Sequence, residues 1–457
     1  MSFKNKCKTG VNALDEVLEG GLYPSSVSLV IGHPGVGKTT FGAQFVYEGL
    51  KNGEKGVYVS FVESKADFYR HMRELGLDFE KYEKSGEFIF MEAAPISSIK
   101  DLEPSLSLIF ETVYKNEAKR LVIDSISAIL SILESSRARF ILQSTLVRPL
   151  KNLGVTMLFI IDFQYGRSTA GFGFEEFVAD NVFKMMNKYV KGRIKRVFVI
   201  SKLRENPLYR VAYEFVIGKG GIKFLLPRET AMMGSISFER LSSGIPELDE
   251  MLGGGITKNS ITMVCGPSGS GKTMLSIYFA IEGAKNREKI CFISFEESSE
   301  QIEKIIKSLQ IIDEEALKFI EIISISPKLH TSASLYFLLN NLISNEKPNR
   351  IILDGLEALK KAFGTLEYLD FLRSIISLLK ENNITTYLTN LKDIDFRGDS
   401  SLISTLADNI IALWFDKEDS VVKRKLAIFK TRGTAHDMQV ADIIIKSSKI
   451  EIRKGGS

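Results

Sequence analysis

The sequence has few of the residues that would cross-link it or place it in a membrane. It contains three cysteines in 457 residues, Cys7, Cys265 and Cys291, and no two of them form a C-x-x-C pair. This spacing suggests neither a disulfide framework nor a zinc site. No run of about 18 uncharged apolar residues occurs, and the first residues lack the apolar core of a signal peptide. We therefore expect a cytoplasmic protein without a membrane span.

Charge of one sign is also lacking. The 60 Lys and Arg residues and the 56 Asp and Glu residues give a formal net charge of +4, which is too small for this length to imply a nucleic-acid partner. Hydrophobic residues make up 44% of the chain and charged residues 25%, as in soluble globular proteins. The length predicts two or three domains.

Two stretches of eight residues, 32–39 and 266–273, have the pattern of a phosphate-binding loop, or P-loop. Each has the pattern G-x-x-x-x-G-K-[ST], follows an apolar β-branched run and precedes a segment of helical character. The glycines allow consecutive backbone N–H groups to surround a triphosphate at the positive end of the following helix. The two lysines would reach the β- and γ-phosphates, and the threonines would bind magnesium. The predicted nucleotide-binding residues are Gly32, His33, Pro34, Gly35, Val36, Gly37, Lys38, Thr39 and Thr40, and Gly266, Pro267, Ser268, Gly269, Ser270, Gly271, Lys272, Thr273 and Met274.

The two P-loops belong to an internal repeat. Residues 7–22 are echoed by residues 241–256, and the same offset of 234 residues separates Gly32 from Gly266. We therefore predict an α/β fold of two tandem P-loop domains, residues 1–229 and 230–457, each a mainly parallel twisted sheet flanked by helices. Apolar β-rich runs that alternate with helical patterns predict parallel strands joined by crossover helices. In the first copy these runs are 27–31, 56–61, 121–124, 156–162 and 197–202.

An aspartate ends an apolar strand downstream of each P-loop. The runs 120–124 and 350–354 end at Asp124 and Asp354. We predict that these two carboxylates orient the magnesium ion or its water. An aspartate at a strand end is common by itself, so the prediction depends on its place after a P-loop.

A pair of carboxylates, Glu296 and Glu297, ends another apolar strand of the second copy. A base that activates water is needed at about this place, in line with the bond that breaks. The first copy has Val62 and Glu63 in the equivalent positions, so one carboxylate is missing. We predict Glu296, Glu297 and Glu63 as the catalytic candidates. The alternative is that the paired glutamates are a solvated strand end.

Basic residues follow a late strand in each copy. They are Lys430 and Arg432 in the second copy and Lys202 and Arg204 in the first. Basic residues at strand ends are commonly solvated charges. In a protein that assembles as a ring, however, they become candidates to cross an interface and neutralise the charge that develops on the neighbour's γ-phosphate.

Together these motifs resemble those of the RecA-like ATPases, and among them the KaiC family of two-domain circadian-clock ATPases and their archaeal relatives. The resemblance covers nearly the whole chain. It implies binding of ATP and magnesium between the subunits of a homo-hexameric double ring, slow hydrolysis with Glu296 as the catalytic carboxylate and Glu297 as its helper, and a regulatory protein partner. Its most specific pieces are the Gly-x-x-x-Leu-Asp-x-x-Leu-x-Gly-Gly openings at Gly10 and Gly244, the P-loops, Phe295-Glu296-Glu297, and Lys430-Thr431-Arg432-Gly433 with His436-Asp437.

The resemblance also implies a modification site. Ser404 and Thr405 match the family's autophosphorylated Ser-Thr pair. A hydroxyl held beside a neighbour's γ-phosphate would replace water as the nucleophile, which would make the protein a kinase for itself. The alternative is that both hydroxyls only satisfy local backbone groups. Val62 departs from the family pattern, so we expect the first site to bind ATP tightly and hydrolyse it poorly, unless Glu63 compensates.

Our first interpretation is a regulatory ATPase and candidate autokinase. Two alternatives stay open. RecA-like cores also form filaments on DNA, and the loops 164–173 and 392–399 would then face it; neither is strongly basic, so DNA is the weaker candidate partner. The other alternative is a nucleotide-gated scaffold with little turnover.

Overall fold

The chain folds into two units, Met1–Leu226 and Pro227–Ser457, in a computed structural model. The structure describes residues 6–94, 96, 98–130, 140–163, 179–204, 212–226, 237–391, 405–418, 421–446 and 449–454. The predicted boundary between residues 229 and 230 falls outside these ranges.

The helix that follows the P-loop of the first unit packs against the sheet. This helix, α2 (Lys38–Lys51), begins directly after Gly37, whose φ of 109° is a conformation that glycine adopts readily. In chain order the helices are α1 (Asn12–Val17), α2 (Lys38–Lys51), α3 (Lys65–Glu74), α4 (Phe79–Lys84), α5 (Ile99–Lys115), α6 (Ser127–Leu130) and α7 (Arg148–Asn152), with a π-helical segment at Leu142–Val147 before α7.

The strands of the first unit are β1 (Val27–Gly32), β2 (Gly56–Ser60), β3 (Phe88–Glu92), β4 (Arg120–Asp124), β5 (Thr156–Asp162), β6 (Asn181–Val190), β7 (Arg193–Leu203), β8 (Ala212–Gly218) and β9 (Gly221–Leu225). They form one sheet in the order β3-β2-β4-β5-β1-β6-β7-β8-β9. Pairings from β3 to β6 are parallel, and those from β6 to β9 are antiparallel.

One of the five strands that we predicted as parallel is antiparallel to its neighbour. Residues 197–202 lie in β7, which pairs antiparallel with β6. The two strands are joined by Lys191 and Gly192, both with positive φ. A two-residue turn of this kind joins antiparallel neighbours, whereas parallel neighbours need a long crossover connection. The antiparallel hairpins therefore extend a parallel core.

The second unit repeats this architecture. Its helices are α8 (Pro246–Met251), α9 (Lys272–Lys285), α10 (Ser299–Leu309), α11 (Glu314–Leu317), α12 (Ser332–Glu346), α13 (Leu356–Phe363) and α14 (Thr365–Glu381), with a 3-10 turn at Pro327–Leu329. Among the described residues of both units, no helix combines the length and apolar character needed to cross a membrane.

The strands of the second unit are β10 (Arg240–Leu241), β11 (Ile256–Thr257), β12 (Ile261–Cys265), β13 (Ile290–Ser294), β14 (Ile320–Ser324), β15 (Arg350–Asp354), β16 (Thr385–Asn390), β17 (Asn409–Glu418), β18 (Val421–Thr431), β19 (Ala441–Ile445) and β20 (Ile450–Lys454). The main sheet has the order β14-β13-β15-β16-β12-β17-β18-β19-β20, and β10 pairs with β11. The order matches that of the first unit strand for strand, which confirms the predicted fold class.

The strand that precedes each P-loop lies inside its sheet and is buried along its length. In the first unit β1 pairs in parallel with β5 and β6, so that the carboxyl ends of β1, β2, β4 and β5 share one edge. Ligands of open α/β sheets bind outside this edge. The topology therefore brings the P-loop together with the residues that end three other strands.

A buried arginine joins β4 to the helix that follows the P-loop. Arg120 is 2% exposed and donates to the carbonyls of Lys8 and Phe45 and to the carboxylate of Glu54, each at 2.6 Å. Its guanidinium also lies over the Phe45 ring, 4.8 Å from the centroid. Arg350 makes the same kinds of contact in the second unit. A buried charge is tolerated only when it is paired, so these arginines fix the sheet against the helix.

Replacing Arg120 with Met tests this role. The substitution keeps most of the side-chain volume and leaves the buried Phe45 carbonyl and the partly buried Lys8 carbonyl without their donor, so we expect the free energy of unfolding to fall by about 3 kcal/mol. Urea denaturation followed by circular dichroism measures the change. The control is Lys115→Met, which removes an exposed ion pair with Glu111 and should leave the transition where it is. Equal transitions in the two variants would contradict the assigned role.

Candidate functional site

In the second unit, the P-loop threonine contacts the aspartate that ends β15. The Thr273 hydroxyl is 3.1 and 3.3 Å from the two carboxylate oxygens of Asp354. A second hydroxyl, that of Thr389 on β16, donates to Asp354 Oδ1 at 2.7 Å. The backbone N–H of Gly355 donates to the same Thr389 hydroxyl at 2.8 Å. The predicted magnesium residues of this unit are therefore brought together.

The first unit builds the same contact with a different helper. Thr39 donates to Asp124 Oδ2 at 2.7 Å, and the hydroxyl of Tyr58 on β2 donates to the same oxygen at 2.8 Å. Tyr58 is fully buried. Thr39 and Asp124, the predicted magnesium residues of this unit, are thus also adjacent.

Burial governs the acidity of both aspartates. Asp124 and Asp354 are 9% and 3% exposed, and this burial raises the pKa of each carboxyl above its usual range. The hydroxyl hydrogen bonds oppose that shift because they stabilise the ionised form. The hydroxyl donors therefore help to keep a carboxylate available where a cation would bind.

The two P-loop lysines have different surroundings. Lys272 donates to the carbonyls of Gly266 and Pro267, both at 2.8 Å. Lys38 is 2.9 Å from a carboxylate oxygen of Asp162, at the end of β5, and donates to the His33 carbonyl. A triphosphate that binds the first P-loop thus competes with Asp162 for its lysine.

The glutamates that follow β13 line a cavity with the second P-loop. The cavity has a volume of about 280 Å³, and its walls include Lys272, Thr273, Asp354, Glu296 and Glu297. It therefore brings together all four kinds of group that the sequence predicts for this site: the P-loop lysine and threonine, the aspartate and the paired glutamates.

The backbone N–H of Glu297 is held by Ser294 at 2.9 Å. Burial raises the pKa of Glu297, and the neighbouring charges of Asp354 and Glu296 raise it further. One of its carboxylate oxygens is buried and makes no hydrogen bond within the described residues.

The equivalent segment of the first unit is arranged differently. Val62, where Glu296 stands in the second unit, is 79% exposed. Glu63 is held through its backbone by Ser60, and its carboxylate is 2.6 Å from Nδ1 of His71. The single glutamate of this segment is therefore engaged by an imidazole.

The basic residues predicted to act across an interface lie far from the P-loop of their own unit. Lys430 donates to the carbonyl of Ala407 at 2.7 Å, and Arg432 is 3.5 Å from Asp408. Asp408 in turn accepts from the backbone N–H of Ile261, the first residue of β12. The P-loop follows the other end of β12, and a strand of this length spans about 17 Å.

The first unit has the same arrangement. Lys202 donates to the Ala179 carbonyl at 2.8 Å, and Arg204 is 3.1 Å from Asp180. Asp180 accepts from the N–H of Val27 at the start of β1. These basic groups thus lie at the edge of the sheet opposite the nucleotide pocket of their own unit, so they cannot contact a triphosphate bound there.

Several predicted residues lie outside the described ranges. Ser404 and both candidate DNA loops, 164–173 and 392–399, are among them. Thr405 is described, and its side chain is exposed at a short helical turn. Of the Ser-Thr pair, the structure therefore describes Thr405 alone.

The donor set of the second pocket fits a magnesium–triphosphate. Hydroxyl and carboxylate oxygens, supplied by Thr273 and Asp354, are the ligands that this hard cation prefers. Ser270 Oγ and Glu297 Oε2 are buried and make no hydrogen bond among the described residues. Buried polar atoms are normally paired, and Glu297 lines the cavity, so its oxygen is suited to a hydrogen-bond donor that arrives with a nucleotide.

Sequence reasoning missed four side chains of these sites: Tyr58, His71, Asp162 and Thr389. Each contacts a predicted residue through its side chain. None belongs to a motif with fixed spacing, because the contacts join different strands or a strand end and a helix. Only the tertiary structure reveals them: the order of the strands for Tyr58, Asp162 and Thr389, and the packing of α3 for His71.

Comparisons with known proteins agree with this geometry. The family model described as "ATPase: KaiC" matches twice, at residues 7–229 and 241–457. Among curated relatives, the "Circadian clock protein KaiC3" of Synechocystis sp. is 30% identical over 98% of this chain and 92% of its own length. The "Circadian clock oscillator protein KaiC" of Prochlorococcus marinus (strain SARG) is also 30% identical, with the same shares covered. That of Parathermosynechococcus lividus is 32% identical over 98% of this chain and 85% of its own.

Both copies of the repeat match the family model, and the relatives align over nearly the whole chain, which confirms the resemblance seen in the motifs. The chain therefore belongs to the KaiC family of ATPases and carries the family's ATP-binding, RecA-like domain twice.

Proposed function

We propose that this protein is a slow regulatory ATPase whose second unit hydrolyses ATP, whose first unit mainly holds ATP, and whose nucleotide state switches an oligomer. One contrast carries the proposal. Glu296 and Glu297 line the second pocket, and Glu297 keeps a buried oxygen with no hydrogen bond in the described structure. In the first unit Val62 replaces one glutamate, and Glu63 is engaged by His71.

In the second pocket, the backbone amides of the P-loop and Lys272 bind the phosphates. Thr273 and Asp354 would hold magnesium, which would supply neutralisation of the phosphate charge. Glu296 accepts a proton from water while the water oxygen attacks the γ-phosphorus and the bond to the bridging oxygen breaks. Glu297, which lies next to it and has one buried carboxylate oxygen, orients Glu296 or the water. In the first pocket, Glu63 is the only carboxylate of this segment, and its bond to His71 disfavours that role.

The switch requires more than one chain. Lys202, Arg204, Lys430 and Arg432 lie at the edge of the sheet opposite their own P-loop. Placed against a neighbouring subunit, they would neutralise charge on its γ-phosphate. We propose a homo-hexamer on this ground and on the family resemblance. In the same ring, Ser404 and Thr405 would accept a phosphoryl group from the neighbour, and a regulatory protein would read the resulting state.

Exchanging the carboxylates tests which pocket turns over. Glu296→Gln should lower steady-state phosphate release about 100-fold or more, because the base is lost while the shape is kept. Val62→Glu should raise it, because the first pocket regains its carboxylate. Glu300→Gln, an exposed position on α10, is the matched control and should match the wild type. Wild-type release by Glu296→Gln would rule out Glu296 as the catalytic base.

A backbone substitution tests the position of Glu296 without removing it. Gly355 has a φ of +83°, and a Cβ there would lie 2.8 Å from Cγ of Glu296. Gly355→Ala should therefore displace the glutamate and slow hydrolysis by about 10- to 100-fold, while ATP binding measured by filter retention is kept. Gly364 has a φ of +86° and no atom within 4 Å of an added Cβ, so Gly364→Ala controls for backbone strain. Equal hydrolysis rates in the two variants would contradict the placement.

Mass and modification test the assembly. Light scattering should give six times the chain mass of 51.2 kDa with ATP and magnesium, and a smaller species without them. Phosphopeptide mapping after incubation with ATP should find phosphate on Ser404 or Thr405, and Lys272→Ala should abolish it. A monomer under both conditions would contradict the ring, and unmodified peptides would contradict the autokinase activity.

A further inference from the structure

The strand-end aspartate of each unit receives a hydroxyl hydrogen bond from a neighbouring strand, and the two units take it from opposite sides. In the first unit the donor is Tyr58 on β2, at 2.8 Å from Asp124. In the second it is Thr389 on β16, at 2.7 Å from Asp354. The aspartate strand β4 lies between β2 and β5, and its counterpart β15 lies between β13 and β16. The first unit therefore takes its donor from the β2 side, and the second takes it from β16, the counterpart of β5.

Strand register identifies the residue that replaces each donor in the other copy. Tyr58 pairs with Val122, two residues before Asp124. The residue paired with the equivalent position of β15, Ile352, is Phe292, which has the ring of Tyr58 without its hydroxyl. The first unit therefore has its donor where the second has an apolar ring.

The other flank shows the reverse exchange. Thr389 pairs with Val264 of β12, two residues before the P-loop glycine Gly266. The residue in the same register on β1, Val30, pairs with Ile160 of β5. Ile160 is β-branched like Thr389 but carries no hydroxyl. In each unit, therefore, one of these two positions carries a hydroxyl that donates to the aspartate, and the other position is apolar.

A single donor from the P-loop threonine would leave the carboxylate free to rotate, because the terminal torsion of aspartate has broad minima. A second donor from a flanking strand fixes that torsion. In the first unit both hydroxyls bond to Oδ2, which leaves Oδ1 for other groups. Both flanking donors are at most 1% exposed, so water does not replace them readily.

We propose that Tyr58 and Thr389 are positioning residues with one shared role, which is to orient the strand-end aspartate for a magnesium–nucleotide. The role is independent of the strand that supplies the hydroxyl. This inference rests on the proposed function, because it assumes that both pockets bind ATP with magnesium. Partners that orient the ligands of a metal typically contribute 10- to 100-fold to its affinity.

The experiment measures binding of a fluorescent N-methylanthraniloyl ATP as magnesium is titrated, with the full chain and one pocket silenced. In Lys272→Ala the binding signal comes from the first pocket, and in Lys38→Ala it comes from the second. Tyr58→Phe should raise the half-saturating magnesium concentration of the first pocket about 10-fold, and Thr389→Val should do so for the second.

Restoring the hydroxyl from the opposite strand provides the decisive comparison. Adding Ile160→Thr to Tyr58→Phe, or Phe292→Tyr to Thr389→Val, should return the half-saturating concentration to within about twofold of the parent. Tyr387→Phe is the matched control, since Tyr387 is a fully buried tyrosine of β16 whose hydroxyl has no hydrogen-bond partner among the described residues. It should leave magnesium dependence unchanged.

The outcomes separate this inference from the proposed function. Absence of magnesium-dependent binding in both parent chains would overturn the proposed function itself. Parent chains that bind, with single variants that match them or double variants that stay impaired, would overturn the positioning role alone. If circular dichroism shows that Tyr58→Phe does not fold, the comparison of Thr389→Val with Thr389→Ser provides the test, because only serine keeps the hydroxyl. Equal half-saturating magnesium concentrations for these two variants would also overturn the positioning role.

Discussion

The contact between a P-loop threonine and a strand-end aspartate is the interaction on which both sites depend. Thr39 reaches Asp124 and Thr273 reaches Asp354, although each pair is more than 80 residues apart in the chain. The contact forms only if the P-loop strand and the aspartate strand run in parallel on either side of β5 or β16. It therefore ties the chemistry of the pocket to the order of the strands.

The same dependence explains why the two units differ. The strand order and the buried arginine at the start of β4 or β15 are kept in both, whereas the residues at the strand ends have changed. Strand interiors are constrained by burial on both faces. Strand ends face the pocket, so they can exchange one hydrogen-bonding group for another. The first unit has Asp162 beside its P-loop lysine and a single glutamate, Glu63, after β2. The second unit has two glutamates in the equivalent segment.

Much of the fold could be predicted from sequence because its signals are local. The P-loops have fixed spacing, the repeat has a constant offset, and apolar runs that end in an acid mark β4 and β15. The prediction that β7 is a parallel strand was wrong, because an apolar run does not indicate whether a strand is parallel or antiparallel to its neighbour. The two-residue turn at Lys191 and Gly192 makes β7 antiparallel to β6.

The rest of each site could not be predicted, because it is made by residues that meet only across strands. Tyr58 reads as an ordinary core aromatic, and Thr389 as an ordinary strand residue, until the sheet places each beside an aspartate. His71 lies eight positions after Glu63 and reaches it through the packing of α3. Such contacts have no characteristic spacing in sequence.

The most direct measurement of the division of labour between the units follows a single turnover of radiolabelled ATP in chains with one P-loop lysine replaced. We predict that Lys38→Ala hydrolyses its bound ATP at nearly the wild-type rate, and that Lys272→Ala retains ATP with little hydrolysis. Rapid hydrolysis in Lys272→Ala, with loss of hydrolysis in Lys38→Ala, would contradict the assignment of turnover to the second unit.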